Sequence, residues 1–171
     1  ELLSFLMRRT ARVSAETLME RCLELARVGR GHTGVNPMVG SLIVRAGKIV
    51  SEGCHECFGK PHAERNTLNK ILVHKDDVLY VNLEPCCHQG KTLPCTDAII
   101  EAGVKHIVYG MKDPNTQVAG KGIEVLRAAG VDVQGPVLPG RCERLNRGYV
   151  SLQTKGRPWI TVKCAKTRGG R

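Results

Sequence analysis

Four side chains of this 171-residue sequence have the types and spacing of a metal-assisted hydrolytic site. His62 and Glu64 stand two residues apart at the predicted start of a helix, and Cys86 and Cys95 each follow a proline. Side chains two apart diverge along a helix, but those of its first turn can converge beyond its N-terminus. A helix predicted over 97–103 can present Cys95 in the same way. The pattern therefore predicts one ion between two helix N-termini, held by His62, Cys86 and Cys95.

The predicted ligands indicate zinc and a hydrolytic reaction. One imidazole and two thiolates suit Zn2+, and three protein ligands leave a fourth tetrahedral position open, as catalytic zinc sites do. A water in that position would titrate at about pH 7. Glu64 can then act as the general acid–base, because it can take a proton from this water and pass it to a substrate nitrogen. We expect the products to be a deaminated ring and ammonia.

A second cysteine pair offers a rival metal site. Cys54 and Cys57 form a C-x-x-C motif that could combine with Cys86 and Cys87 in the structural zinc site of a nucleic-acid-binding module. That interpretation leaves Glu64 and the two prolines unexplained. We therefore expect Cys54 and Cys57 to be partly buried side chains beside a strand end. Cys87 is expected to lie next to the metal ligand Cys86 without being a ligand itself.

Composition narrows the remaining function classes. The net charge is +10, but Lys and Arg are scattered and only 4% of residues are aromatic, so nucleic acid is not the expected partner. The charge suits a smaller anion, including a single phosphate. No apolar run reaches the roughly 18 residues of a membrane span, and no membrane partner is expected. Eight cysteines without a clear secretory signal favour metal binding over disulfides, and so predict a cytoplasmic enzyme.

Alternating elements are predicted to position these residues. Helices are expected at 14–29, 62–72, 97–103 and 121–130, and strands in a hairpin around Ala46-Gly47 and at 78–85, 104–110 and 131–135. Because strands and helices alternate, the sheet should be largely parallel beyond its opening hairpin. We predict an N-terminal extension (1–13), a zinc-dependent deaminase domain (14–150), and a connector with one further strand that starts another domain (151–171).

Nine short stretches over roughly residues 14–160 resemble, in order, the pyrimidine deaminase domain of the riboflavin-biosynthesis deaminase–reductase family. These stretches are Asn36-Pro-Met-Val-Gly40, Gly53-Cys-His55, His62-Ala-Glu64, Leu83-Glu-Pro-Cys86, Gly90-Lys-Thr92, Pro94-Cys95, Asp113-Pro-Asn115, Ala119-Gly-Lys-Gly122 and Leu145-Asn-Arg-Gly148. Zinc deaminases in general share H-x-E followed by P-C-x-x-C, with the Glu as acid–base. Here eight residues separate Cys86 from Cys95. This long gap belongs to the family and distinguishes it from cytidine and tRNA-adenosine deaminases.

The resemblance implies a fold, a reaction and a set of site residues. The implied fold is a three-layer α/β/α cytidine-deaminase-like structure with a mixed five-stranded sheet flanked by helices, and a homo-oligomer that binds Zn2+. The implied reaction is hydrolytic deamination of 2,5-diamino-6-(5-phosphoribosylamino)pyrimidin-4-one to 5-amino-6-(5-phosphoribosylamino)uracil in riboflavin biosynthesis. The family's substrate-binding positions, carried over to this sequence, place five residues in the substrate pocket: Asn36, His55, Lys91, Asp113 and Asn115. Lys91 and His55 suit the ribose-phosphate end, and Asn36 suits the base or ribose edge.

The resemblance has two departures and leaves alternatives open. Position 87 is Cys where the family usually has Ser or another small residue, and residues 167–171 lack the Asp of the family's S-x-D-G-R-like turn. An NADPH-dependent reductase, in cis or as a separate protein, is implied as a partner but is not assigned to this chain. The substrate could also be another nucleobase, a nucleoside or a tRNA base. Asp113-Pro-Asn115 could be only a turn, Lys91 a solvated loop lysine, and His55 a strand-end histidine.

Overall fold

The computed structural model describes residues 13–88, 93–116, 118–167 and 169. Its strands are β1 (Gly40–Arg45), β2 (Lys48–Cys54), β3 (Val78–Val81), β4 (His106–Tyr109) and β5 (Asp132–Gln134). Its helices are α1 (Ala15–Ala26), α2 (Ala63–Leu68), α3 (Cys95–Glu101), α4 (Lys121–Ala128), α5 (Pro139–Leu145) and α6 (Arg147–Lys155), and a 3-10 turn (Arg27–Gly29) follows α1. None of the helices in these ranges is both long and apolar enough to cross a membrane.

The five strands form one mixed sheet in the order β2-β1-β3-β4-β5. Strand β1 is antiparallel to both of its neighbours, whereas β3, β4 and β5 run parallel to one another. The turn between β1 and β2 has φ values of 49° at Ala46 and 78° at Gly47. Two successive positive φ values are typical of the two-residue turns that match the twist of a hairpin. The predicted hairpin and the predicted mixed five-stranded sheet are both confirmed.

Helices cover both faces of the sheet. Gly40 faces α1, since a Cβ atom at this position would lie 2.2 Å from the carbonyl oxygen of Cys22. The next residue, Ser41, faces α2, because its hydroxyl is hydrogen bonded to the hydroxyl of Thr67 at 2.6 Å. Successive residues of a strand point to opposite faces of a sheet. The two helices therefore lie on opposite sides, and the predicted three-layer α/β/α architecture is confirmed.

One edge of the sheet gathers the loops that carry the predicted site. The carboxyl ends of the parallel strands β3 and β4 lie at the same edge, which is where ligands bind in open α/β sheets. Cys86 lies in the loop after β3, and Asp113 lies in the loop after β4. Strand β3 ends at Val81 and not at 85, and the next side chain, that of Asn82, is bonded to the start of β1. Its Oδ1 accepts the backbone N–H of Gly40 at 2.8 Å.

The C-terminal part of the chain differs from the sequence-based expectation. The sequence predicts neither α5 nor α6, because these helices lack a broad apolar face and bury only Cys142 and Ser151. They are held by long-range bonds: the side chain of Asn146 bonds to the backbone N–H (2.8 Å) and C=O (3.0 Å) of Met38. The predicted boundary at residue 150 lies inside α6. Residues 156–167 are exposed and contain no strand in the structure described, so the further strand predicted there is wrong.

Candidate active site

The three predicted metal ligands lie where two helices begin and one strand ends. His62 is the N-cap residue of α2, Cys95 is the first residue of α3, and Cys86 follows β3. The backbone N–H of Cys95 donates to the sulfur of Cys86 at 3.4 Å. Unpaired N–H groups at a helix start favour negative charge nearby. The thiol of Cys86 is therefore placed where a thiolate is stabilised, as the sequence predicts.

The ligand atoms have the separations that a tetrahedral zinc ion requires. His62 Nδ1 lies 3.3 Å from the Cys95 sulfur and 3.5 Å from the Cys86 sulfur, and the three donor atoms lie within 4.8 Å of one another. Zinc bonds of about 2.0 Å to nitrogen and about 2.3 Å to sulfur, at a tetrahedral angle, place nitrogen and sulfur about 3.5 Å apart. The three residues therefore fit one zinc ion and leave its fourth position open.

The two thiols and His62 are electrostatically coupled. A hydrogen bond from Cys95, aided by one from His62, lowers the pKa of Cys86 and favours its thiolate. The same bond keeps the proton on Cys95 and raises its pKa, and burial and the nearby Glu64 carboxylate raise it further. The bond to Cys86 also raises the pKa of His62. A second thiolate in this buried cluster therefore needs a cation, and zinc supplies that charge.

Glu64 lies beside the cluster without belonging to it. The residue is in the first turn of α2 and is only 3% exposed. Burial raises the pKa of its carboxyl to about 7. A carboxyl group with a pKa near neutrality can both accept and release a proton during turnover. Its surroundings therefore suit the acid–base role that the sequence predicts.

A cavity of about 430 Å³ opens onto the cluster and Glu64. This volume is in the range of small-molecule sites in proteins. Four of the five predicted substrate-binding residues line the cavity, and they are Asn36, His55, Asp113 and Asn115. The fifth, Lys91, lies outside the described residues.

His55 uses both ring nitrogens within the protein. Its Nδ1 lies 3.1 Å from the carbonyl oxygen of Pro61, and its Nε2 lies 3.2 Å from the side-chain nitrogen of Asn36. Because a carbonyl can only accept, Nδ1 carries the proton and Nε2 accepts from Asn36. The residue is 2% exposed, and burial lowers its pKa.

The contacts of His55 also give it a positioning role, and its contact with the substrate stays a prediction. The ring fixes the amide of Asn36, and it packs edge-on against the ring of His62 with centroids 5.3 Å apart. His55 therefore orients a predicted substrate contact and a predicted metal ligand.

Comparison with known proteins agrees with this geometry. Residues 12–111, more than half of the chain, match the family model of the cytidine and deoxycytidylate deaminase zinc-binding region. The chain belongs to this deaminase family. Its membership confirms the predicted Zn2+ cofactor, and the cluster of His62, Cys86 and Cys95 provides ligands that fit it.

Relatives of this deaminase are similar over most of the chain. Riboflavin biosynthesis protein RibD of Synechocystis is 47% identical over 160 residues, which cover 93% of this chain and 44% of the relative. Riboflavin biosynthesis protein PYRD of Zea mays is 46% identical over 153 residues, which cover 89% and 39%. The crystal structure of a Thermotoga maritima diaminohydroxyphosphoribosylaminopyrimidine deaminase/5-amino-6-(5-phosphoribosylamino)uracil reductase has a TM-score of 0.80 and 42% identity, covering 84% of this chain and 42% of that one. The chain thus spans about two fifths of the length of these relatives.

The rival cysteine pair does not form a metal site in this deaminase. Among the residues that the structure describes, His62, Cys86 and Cys95 are the one group of His, Cys, Asp or Glu side chains close enough to share an ion. Cys54 and Cys57 are partly buried and lie outside this group. The structure therefore supports the deaminase and not the structural-zinc binding module.

Two residues that the sequence reasoning misses contact the predicted substrate residues. Tyr149 in α6 lines the cavity, and its hydroxyl donates to Oδ1 of Asp113 at 2.8 Å. Glu84 is buried just before the metal loop and accepts the backbone N–H of Asp113 at 3.1 Å. The sequence could have predicted a structural role for Glu84, because a carboxylate at the end of an otherwise apolar predicted strand must find buried hydrogen-bond partners.

Proposed function

We propose that this chain catalyses the zinc-dependent hydrolytic deamination of 2,5-diamino-6-(5-phosphoribosylamino)pyrimidin-4-one to 5-amino-6-(5-phosphoribosylamino)uracil in riboflavin biosynthesis. The observation that carries the proposal is a single cavity that joins the zinc cluster, the buried Glu64 and the polar side chains of Asn36, Asp113 and Asn115. The relatives support this substrate, since two are named riboflavin biosynthesis proteins and the third is named for this deaminase activity.

The chemistry follows from the position of Glu64 beside the cluster. Zinc, when bound by His62, Cys86 and Cys95, supplies Lewis-acid activation of the attacking water. The oxygen of water forms a bond to the ring carbon, and the bond from that carbon to the amino nitrogen breaks. Glu64 takes one proton from the water and delivers it to the ring nitrogen; it then takes the remaining proton from the hydroxyl group now on the ring carbon and delivers it to the amino group, which leaves as ammonia while the carbon–oxygen bond becomes a carbonyl. Its raised pKa suits both transfers.

The cavity wall supplies acceptors for the substrate. The side-chain nitrogen of Asn36 donates to His55, so its amide oxygen is directed to accept an N–H or hydroxyl of the substrate. Asp113, in the loop after β4, lines the same cavity and supplies a second acceptor. For the phosphate, Lys60 lines the cavity and is exposed, and Lys91 remains a predicted contact.

The proposal also covers the oligomeric state, the location, the reductase partner and the domain limits of the chain. We propose a homo-oligomer, a cytoplasmic location, and a reductase that acts in cis or as a separate protein. The domain limits proposed are 1–13 for an extension, 14–155 for the deaminase, so that α6 stays whole, and 156–171 for a connector toward a reductase domain. The greater length of the relatives supports this division. The maize relative is named as chloroplastic.

Ammonia release by the zinc-loaded chain tests the proposed substrate. The panel is the ribosylamino 5-phosphate, its dephosphorylated form, cytidine, dCMP and a tRNA with a target adenosine. We expect the highest kcat/KM for the ribosylamino 5-phosphate. Loss of the phosphate should lower kcat/KM by roughly 10-fold or more, since hydrogen bonds to charged groups contribute about 1.5–3 kcal/mol. Higher kcat/KM with cytidine, dCMP or the tRNA would contradict the proposal.

A further inference from the structure

Glu84 is a buried carboxylate that binds the loop after β4 through its backbone. The residue is 2% exposed and lies two positions before the ligand Cys86. Four backbone N–H groups donate to it. Those of Asp113 and Gly120 reach Oε2 at 3.1 and 3.0 Å, and those of Gly122 and Ile123 reach Oε1 at 3.0 and 3.4 Å. One side chain therefore fixes both ends of the segment 113–123.

The bonded N–H groups lie at and beside an irregular turn before α4. Before α4 begins, the backbone passes through positive φ values of 30° at Ala119 and 94° at Gly120. Residues in this region cost energy unless surrounding contacts hold them, especially when they carry a Cβ atom. Hydrogen bonds to a carboxylate are about twice as strong as those between neutral groups. The negative charge also lies at the start of α4, where the helix dipole favours it.

Tyr149 holds the side chain of Asp113 from the other direction. Its hydroxyl donates to Oδ1 of Asp113 at 2.8 Å, and the backbone N–H of Asn115 donates to the same oxygen at 2.9 Å. Burial raises the pKa of Tyr149, so the hydroxyl stays protonated and remains a donor. Since both bonds end on Oδ1, a substrate donor would bind the other oxygen, Oδ2.

We infer that Glu84 and Tyr149 are positioning residues that together hold Asp113 as the acceptor for an N–H or hydroxyl group of the substrate. Glu84 fixes the backbone of Asp113, and Tyr149 fixes its carboxylate. This inference rests on the proposed function, because it assigns Asp113 a contact with the deaminated substrate. It also explains how α6, which lies beyond the matched family region, contributes to substrate affinity.

Two variants and one matched control test the inference. Tyr149→Phe removes only the hydroxyl, and we expect KM to rise about 3- to 10-fold, less than the full loss of a hydrogen bond to a carboxylate implies, because the backbone N–H of Asn115 still holds the same oxygen of Asp113. Glu84→Gln places an amide NH2 against backbone N–H donors, so KM should rise further, by roughly 10- to 100-fold. The double variant should raise KM by less than the product of the two single effects, because both act through Asp113. Zinc content and kcat should stay close to wild type in Tyr149→Phe.

Asp77→Asn is the matched control for Glu84→Gln. Asp77 is a fully buried carboxylate at the opposite end of β3, bonded to Arg45 at 2.8 and 2.7 Å. This control should lower the melting temperature and leave KM unchanged. The inference is overturned if either Glu84→Gln or Tyr149→Phe behaves like Asp77→Asn, with KM within about twofold of wild type. If Glu84→Gln fails to fold, the KM of Tyr149→Phe alone decides whether the inference holds, because this variant keeps the aromatic ring and its packing.

The substrate used for KM separates this inference from the proposed function. KM is measured with whichever compound of the ammonia-release panel the wild-type chain turns over best. Failure of the ribosylamino phosphate in that panel refutes the proposed substrate and leaves the prediction for Tyr149 open to the same measurement. An unchanged KM in Tyr149→Phe with an active substrate refutes the inference alone.

Discussion

Gly122→Ala is expected to destabilise the chain because α4 packs directly on the loop that carries a zinc ligand. A Cβ atom at position 122 would lie 2.1 Å from the carbonyl oxygen of Pro85 and 3.2 Å from Oε1 of Glu84. Neither segment can move independently, since Glu84 binds the backbone of Gly122 itself. The helix and the metal loop would therefore have to separate by roughly 1 Å or more in a closely packed interior.

The expected loss of stability follows from two opposing effects. Replacing Gly by Ala in a helix contributes about 0.5–1 kcal/mol of stability. Overpacking costs about 1–3 kcal/mol, and this contact, which is between backbone segments, belongs at the upper end. The net loss is about 2 kcal/mol, and the melting temperature should fall by about 4–8 °C, since each kcal/mol shifts it about 2–4 °C at this size.

Gly148→Ala is the matched control, because Gly148 is likewise the second residue of its helix. A Cβ atom there would meet no atom within 4 Å. This substitution should stabilise the chain by about 0.4–1 kcal/mol. Thermal unfolding of the zinc-loaded variants, followed by circular dichroism, compares the two, and zinc retention after dialysis against a chelator should be lower for Gly122→Ala. A melting temperature of Gly122→Ala equal to or above wild type would refute the packing of α4 on the metal loop.

Two further predictions concern stability and metal content. The hydrogen bond from Arg45 holds the pKa of Asp77 below its ordinary value, so the pair contributes stability above the unfolded pKa of about 3.9 and loses it as pH falls through the lower folded pKa. Asp77→Asn should therefore lower the melting temperature near neutral pH by an amount equivalent to roughly 1–3 kcal/mol, and its difference from wild type should begin to shrink below about pH 4. A difference that grows as the pH falls below about 4 would argue against this pair. Metal analysis of the double variant Cys54→Ser/Cys57→Ser should find the zinc content of wild type, because neither sulfur lies in the ligand cluster. A zinc content half that of wild type would instead support a second metal site that uses Cys54 and Cys57.

The metal ligands can be predicted from the sequence because their positions follow from local signals. His62 and Cys95 each mark the start of a helix beside a proline, and first-turn residues converge on a point beyond the helix. Cys86 follows the buried strand β3, whose apolar run is visible in the sequence. The positions of these three residues along the chain are therefore enough to predict that they lie together in the folded protein.

The rest of the site depends on contacts that cannot be predicted from the spacing of residues along the chain. Tyr149 meets Asp113 from 36 positions away, on a helix with almost no buried apolar face. The sequence indicates that His55 belongs to the pocket, but its burial and its bonds to Asn36 and Pro61 appear only in the folded chain. Those bonds give His55 a positioning role that its place in the sequence does not predict.

The role of Glu64 is tested most directly by zinc content and ammonia release measured together in Glu64→Gln. The substitution keeps the size of the side chain and removes its ability to accept a proton. Because Glu64 is not a ligand, the variant should retain one zinc per chain, whereas His62→Ala, measured beside it, should lose zinc. With zinc retained, kcat for ammonia release should fall by a factor on the order of 10²–10⁴. Full activity in the zinc-loaded variant, or loss of its zinc, would contradict the assignment of Glu64 as the proton-transfer residue.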